Sequence, residues 1–560
     1  MKRLIVASII VLSAFTSLAQ EKTSESIEVR VVNVDVVVHD RAGKPVTGLT
    51  RDDFEIFENG QKREITNLYE VRAATAKGTL SKTTTPAEPS AAQEPAAEVR
   101  PRNILMFVDN YSLQPFRRDK VLQSLRKFID EKLIPQDRVM LVLCTQQVKV
   151  VTPFTNDRKA IQDGIESIKK MVSASQNRTS ALEQVKSRIN QFIDTAKEPR
   201  SKLTFTEAYS LSTTMVEALI QDEIISSRFT LSALGQMTAT LSGLEGKNVI
   251  IFAGAHLPEY PGRETYMWLY NSFSPYISSL SIPSEGLSGT AGSLQRYSIE
   301  EAAKQASANN IALYIIDAAD TRDSISAESN SAADKTEQFT SFTNTAMAYQ
   351  TLARISGGMA LTNSDNFDSA FETLANDLNS YYSLGFKPTA SVTGKARNVV
   401  IKMKNPEYRF RARETYLPNA PSTEDEMSRR VTANLYNADP HNTWQVDLRA
   451  GKPEKDGDQY KVPFELSFTP TITLVPQDDN LLGNFTVYVV VGSDGRTSKV
   501  LKNSHPVKVP VDAEDDFRTK PMTYKAVILM TPGENTLSVG IVDQNSNNSG
   551  FAHVKVVVPK

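Results

Sequence analysis

Asp109 and Ser112 carry the most legible chemistry in this sequence. They follow the apolar run Ile104–Val108 and stand three positions apart. A carboxylate and a hydroxyl are hard oxygen donors of the kind Mg²⁺ or Ca²⁺ takes. The pair reads either as a weakly held ion or as a solvated carboxylate at a helix N-terminus, and the second is expected. Nucleophilic and acid–base chemistry is thinner. Ser124-x-x-Lys127 and Ser167-x-x-Lys170 have the spacing of a serine activated by a lysine, but both fall on amphipathic helical patterns, where chance accounts for the match. The five histidines, His39, His256, His441, His505 and His553, are scattered, with no pair at metal-ligand spacing. No Gly-x-Ser-x-Gly elbow, phosphate loop or Gly-x-Gly-x-x-Gly occurs. Cys144, the single cysteine, lies in an apolar run and reads as a small core residue; alone, it excludes an intrachain disulfide framework.

The elements around Asp109 spell the opening of a doubly wound α/β sheet. Ile104–Val108 is short, continuous and apolar, as for a strand covered on both faces. It delivers Asp109 to the carboxyl end, where open α/β sheets place their sites. Val121, Leu122, Leu125, Phe128 and Ile129 then form one helical stripe, Pro135 stops the helix, and Val139–Cys144 begins a second buried strand. Further on, helices are expected around Ile161–Ile168, over Thr179–Ala196 and Thr206–Ile225, and through Leu231–Leu241; the middle two look like an insertion. Asn248–Ala253 and Ile311–Asp317 read as buried strands. The stretch from His256 to Tyr297, rich in Ser, Pro, Gly and Tyr, reads as a long surface insertion, after which Ser298 and Glu301 have capping-box spacing. Its aromatic part, Tyr260–Tyr276 with Trp268, is either a recognition surface or packing of the insertion against its own domain. Gly357 and Gly358 supply the left-handed stop of a helix before the strands Met359–Thr362 and Tyr381–Phe386.

Flanking this unit, residues 27–72 read as a small β module. Val32, Val34, Val36 and Val38 alternate with a more polar face, and Asn59-Gly60 is a two-residue hairpin signal. Its few strands need a neighbour to complete a core. Residues 73–100, rich in Ala, Thr, Pro and Glu, read as a flexible linker. Beyond a polar connector around Asn419–Arg429, residues 430–560 carry evenly spaced short strands, such as Lys461–Phe468, Leu482–Val491 and Asn535–Val542, and an immunoglobulin-like sandwich is expected. At the start, Lys2 and Arg3, an apolar core and Ser17-Leu18-Ala19 have the form of a secretory leader over residues 1–19, with export to the periplasm or the exterior.

The segment Arg102–Val151 resembles the start of a von Willebrand factor A-type domain, and the wider chain is similar to bacterial secreted proteins, many from acidobacteria, with a VWFA-related domain. PVTGLTRDDFEIFENGQ, ISGG, YYSLGFKP and RNVVIKMKNPEYRFRARETY match that family's pattern. The resemblance implies an α/β domain over residues 101–418. It also implies a metal motif, Asp-x-Ser-x-Ser, with a threonine from a second loop and an aspartate after the fourth strand. Here the motif positions are Asp109, Tyr111 and Leu113, Thr206 or Thr230 stands for the threonine, and Ala253-Gly254 for the aspartate. Phenol and isobutyl groups do not replace small hydroxyl ligands in an octahedral shell. No cofactor is therefore expected, and Asp109 and Ser112 are the residual candidates for Mg²⁺ or Ca²⁺.

With 560 residues and 40% hydrophobic content, the chain is long enough for several cores, and its formal charge of −2 gives no reason to bind nucleic acid or an anionic membrane. No stretch after the leader is apolar for long enough to span a bilayer. The expected function is non-enzymatic binding of a protein ligand, as adhesin or envelope scaffold, independent of a divalent metal. The alternative is an exported hydrolase with its site on the inserted helices or the Tyr-rich loop.

Overall fold

In the computed structural model the described residues are 31–72, 102–278, 290–319, 332–389 and 395–559, apart from interruptions of one to four residues. The leader (1–19) and the linker (73–100) lie outside them. The chain opens with β1 (Val32–His39), β2 (Phe54–Glu58), β3 (Gln61–Arg63) and β4 (Ile65–Arg72). The valines at 32, 34, 36 and 38 all turn inward. Asn59 and Gly60 both have positive φ (47° and 82°), the backbone of a tight hairpin turn, and β2 pairs β3 with Glu58 opposite Gln61.

The central sheet comprises β5 (Arg102–Asp109), β6 (Arg138–Cys144), β7 (Val148–Thr155), β8 (Lys247–Gly254), β9 (Ile311–Asp317) and β10 (Met359–Leu361) in the order β10-β9-β8-β5-β6-β7. All neighbours run parallel except the edge strand β7. Every residue of β5 is buried, because helices cover both faces. Ile104, Met106 and Val108 face α1 (Pro115–Glu131) and α2 (Arg158–Lys169). Leu105 and Phe107 share a core with the second half of α4 (Phe205–Ser242). The strand order reverses between β5 and β8, so the crevice at their carboxyl ends is the switch point where such sheets bind ligands.

The helical insertion is α3 (Ser175–Lys197) with the first half of α4. A capping box between Thr204 and Glu207 starts α4. The helix runs unbroken to Ser242, joining the two helices expected over 206–225 and 231–241, since no Gly or Pro interrupts the intervening turn. Thr206 and Thr230 both lie within it, so neither belongs to a ligand loop. Beyond the sheet, Val216, Ile220 and Ile224 pack with Ile189, Trp268 and Phe273 in a separate core. The stretch expected as a surface insertion is thus partly a packed helix, α5 (Arg263–Phe273), with Trp268 3% exposed. Next come α6 (Thr290–Ala308), α7 (Ala332–Ser356) and α8 (Phe367–Asn379). Ser298 does not cap α6; it lies inside that helix, and its hydroxyl donates to the Leu294 carbonyl.

The strands expected to close the α/β unit go elsewhere. β11 (Ser380–Phe386), β12 (Arg397–Met403), β13 (Arg409–Ala412) and β14 (Thr415–Tyr416) join the N-terminal strands in two four-stranded sheets, β13-β1-β11-β4 and β14-β12-β2-β3. Their shared core holds Val34, Val36, Ile56, Leu384, Phe386 and Ile401. Residues 380–416 therefore belong with the N-terminal module, as the neighbour its short strands lacked. The Asp377 carboxylate joins this sandwich to α8, taking Nη2 of Arg411 at 2.6 Å and lying 3.2 Å from Nε2 of His39.

The connector expected near 419–429 contains a helix, α9 (Thr423–Ala433). Met427 and Val431 bury its inner stripe against Tyr488, Val490 and Phe551. Two antiparallel sheets follow around one core. The first has strands Val446–Ala450, Glu454–Asp456, Gln459–Phe468 and Met522–Met530. Asn480–Ser493, Leu501–Pro510, Gly533–Asp543 and Ser549–Val558 are the long strands of the second. No helix among the described residues is long and apolar enough to cross a membrane.

Candidate functional site

At the carboxyl end of β5, Asp109 is 1% exposed, so the solvated carboxylate expected there is a buried one. Its own loop satisfies it: the Tyr111 amide donates to Oδ1 at 3.1 Å and the Ser112 hydroxyl to Oδ2 at 2.7 Å. Ser112 Oγ in turn accepts the Ala255 amide at 3.0 Å, which ties the loop to the end of β8. Leu113 is fully buried. A charged guanidinium fastens each flank. Arg118 donates to Oδ1 of Asn110 at 2.8 Å, and to the carbonyls of Met171 at 2.8 Å and Lys169 at 2.9 Å. Arg117 reaches the carbonyls of Ala318 and Ala319, each at 3.1 Å, and lies over the Phe367 ring.

These residues do not fit an octahedral Mg²⁺ or Ca²⁺. Such an ion wants about six oxygens. Here Ser112 Oγ already donates to Asp109 and accepts from Ala255, Leu113 offers no oxygen, and β8 ends in Ala253 and Gly254. The neighbouring strand tip adds one carboxylate, Asp317, 3% exposed. Burial pushes its pKa up to about 6, against the Ala319 amide and the Arg117 charge, which favour ionisation. Cys144 at the tip of β6 is buried, and burial with the nearby Asp109 charge raises its thiol pKa. It is a core residue, not a nucleophile.

The Ser124–Lys127 pair holds no activated lysine. Lys127 is half exposed and pairs with Asp368 at 2.5 Å, and that hydrogen bond raises its pKa, where a general base needs it lowered. Ser167 and Lys170 lie at the end of α2, Lys170 exposed. Of the histidines, His505 stacks on Phe485 and His441 lies outside the described residues.

His256 has a different setting. Two residues past the end of β8, its Nε2 hydrogen-bonds Oε1 of Glu223 on α4 and lies 3.9 Å from Oε1 of Glu264 on α5. The three ligand atoms fall within 4.8 Å of one another. Sequence reasoning missed this group because its members are 33 and 8 positions apart, on separate elements. The one local signal was a histidine just past a strand tip.

Residues 106–206 match the von Willebrand factor type A domain. No curated protein matches the chain. Among solved structures, the conserved hypothetical protein BatB from Bacteroides thetaiotaomicron is 14% identical, with 50% of this chain and 97% of that chain covered at a TM-score of 0.23. A mutant of the PilB minor pilin from Streptococcus sanguinis is 10% identical, with 61% and 92% covered at 0.27. A von Willebrand factor type A protein from Catenulispora acidiphila is 8% identical, with 82% and 67% covered at 0.21.

Proposed function

We propose, from the premise that this chain carries a von Willebrand factor type A-related domain, that it is an exported, non-enzymatic protein-binding or scaffold protein. Domains of this family mediate protein–protein interaction. The observation that carries the reading is the apolar rim beside the Asp109 loop. Phe116, at the start of α1, is 62% exposed, and Val172, whose carbonyl accepts from Asn110, is 88% exposed. Large apolar groups left in water next to strand ends are what a partner's side chains cover. Beneath them Asp109 is committed to its own loop, so contact rests on shape and apolar burial, with no ion bridging to a partner's carboxylate.

The C-terminal sheets support a second binding module. Numbered in chain order, the seven longer strands pair first–second–fifth in one sheet and fourth–third–sixth–seventh in the other. That interleaving supports an immunoglobulin-like reading. The leader over residues 1–19 supports export, and mass spectrometry of the exported chain should find Gln20 first. A retained Met1 would sink that half of the proposal.

To test the binding half, a partner is recovered from the native cell envelope and its affinity measured with and without millimolar Mg²⁺. Phe116→Asp is expected to weaken binding at least about tenfold, the loss of one well-packed anchor. Withdrawing Mg²⁺ should change it less than about twofold. Binding that disappears without Mg²⁺, or that is indifferent to Phe116→Asp and Val172→Asp, overturns the proposal.

A further inference from the structure

We propose that Glu223, His256 and Glu264 form a zinc site that pins the helical insertion to the end of the central sheet. The site is distinct from the Asp109 loop. Its three ligands come from three elements: the middle of α4, the loop after β8 and the first turn of α5. Their side chains are 11%, 10% and 6% exposed.

The carboxylates are already oriented as metal ligands. Each has one oxygen held by a donor outside the cluster and turns the other towards His256. Glu223 Oε2 accepts the Gly262 amide at 2.6 Å, and Glu264 Oε2 accepts Nδ2 of Asn344 at 3.0 Å. Asn344 also binds the amide and carbonyl of Tyr260, each at 2.8 Å, so the loop between His256 and Glu264 is fastened to α7. Outer partners of this kind fix ligand direction in zinc sites. Gly262 is part of the same device. Its φ is +77°, and a Cβ there would lie 2.3 Å from the Ile220 side chain.

Imidazole with carboxylates and no thiolate suits zinc over the harder Mg²⁺ and Ca²⁺. Ligands about 2.0–2.2 Å from a tetrahedral zinc lie roughly 3.4 Å apart, so small side-chain shifts close this group on the ion, with water as the fourth ligand.

The test uses the full chain, dialysed against EDTA and titrated with zinc chloride by calorimetry. One saturable zinc per chain is expected, with a raised melting temperature. Glu223→Gln and His256→Ala should each lose roughly a hundredfold in zinc affinity. Since those variants could unfold, the wild-type chain is also loaded with Co²⁺, which should show tetrahedral d–d absorption without a thiolate charge-transfer band. No saturable zinc binding, variants that bind like wild type, or a thiolate band in the cobalt spectrum each overturns the site.

Discussion

Glu58→Ala is expected to destabilise the N-terminal sandwich by about 3–5 kcal/mol, the usual effect of removing one member of a buried ionic group. Glu58 is 1% exposed. Its Oε2 accepts from Arg63 Nε and Thr389 Oγ1, both at 2.7 Å, and its Oε1 accepts from Arg397 at 2.6 Å and from the Tyr416 hydroxyl. The alanine variant takes the carboxylate away from two guanidinium groups and a buried phenol together. Burial opposes ionisation of Glu58, but the hydrogen bonds from Tyr416, Arg397 and Thr389 outweigh it and hold the pKa at about 2, below the ordinary 4.5. Because the folded value is the lower one, the stabilisation is complete above about pH 4.5 and fades as the pH falls towards 2. Hydrogen exchange of β2 and β12 under mild urea measures it. Equal protection in Glu58→Ala and wild type at pH 7, or wild-type protection unchanged between pH 5 and 2.5, would refute the account.

Gly358→Ala is expected to cost about 3 kcal/mol or more and to displace β10 from β9. A Cβ at Gly358 would lie 2.0 Å from the Leu313 carbonyl oxygen and 2.6 Å from its carbon. Those atoms belong to a buried interior strand and cannot yield as a side-chain tip would. Gly60→Ala is the control: its φ is +82° with nothing within 4 Å, so it should lose about 1 kcal/mol from backbone strain alone. Thermal melts of the two variants compare the mechanisms, and equal losses would mean that the close approach at Gly358 relaxes freely.

The two glycines also show what a sequence discloses. Gly357 is the left-handed helix stop that the pattern suggests, with φ +81°. Gly358 is needed for a contact with a strand 45 residues earlier, which no local signal carries. The same division runs through the molecule. β5 and the Asn59-Gly60 turn were legible because their causes are local: an apolar run for a strand covered on both faces, and backbone that tolerates positive φ. The family likeness of Arg102–Val151 was legible too. The sandwich was not, since Val36 faces Tyr382 and the strands Tyr381–Phe386 and Arg397–Met403 look alike whichever sheet they join. Nor was the setting of Asp109. An aspartate after an apolar run reads as solvated, and its enclosure by Tyr111, Ser112 and Ala255 depends on how β8 ends. For Trp268 the sequence left two readings open, a recognition surface or packing, because α5 is too short to show a clear stripe beside so many polar neighbours.

The pairing of β1 with β11 and β13 dictates an order of events during synthesis and folding. Leu49 and its hydrogen-bond partner Tyr382 are 333 positions apart. β1 and β4 therefore leave the ribosome long before their partners exist, and they stay unpaired while the α/β unit takes shape. Once that unit has folded, it brings the two ends together, so the entropy of closing the loop is reduced. The α/β unit is thus the template on which the sandwich closes. Until then, β1 is an exposed edge able to pair with another copy of itself.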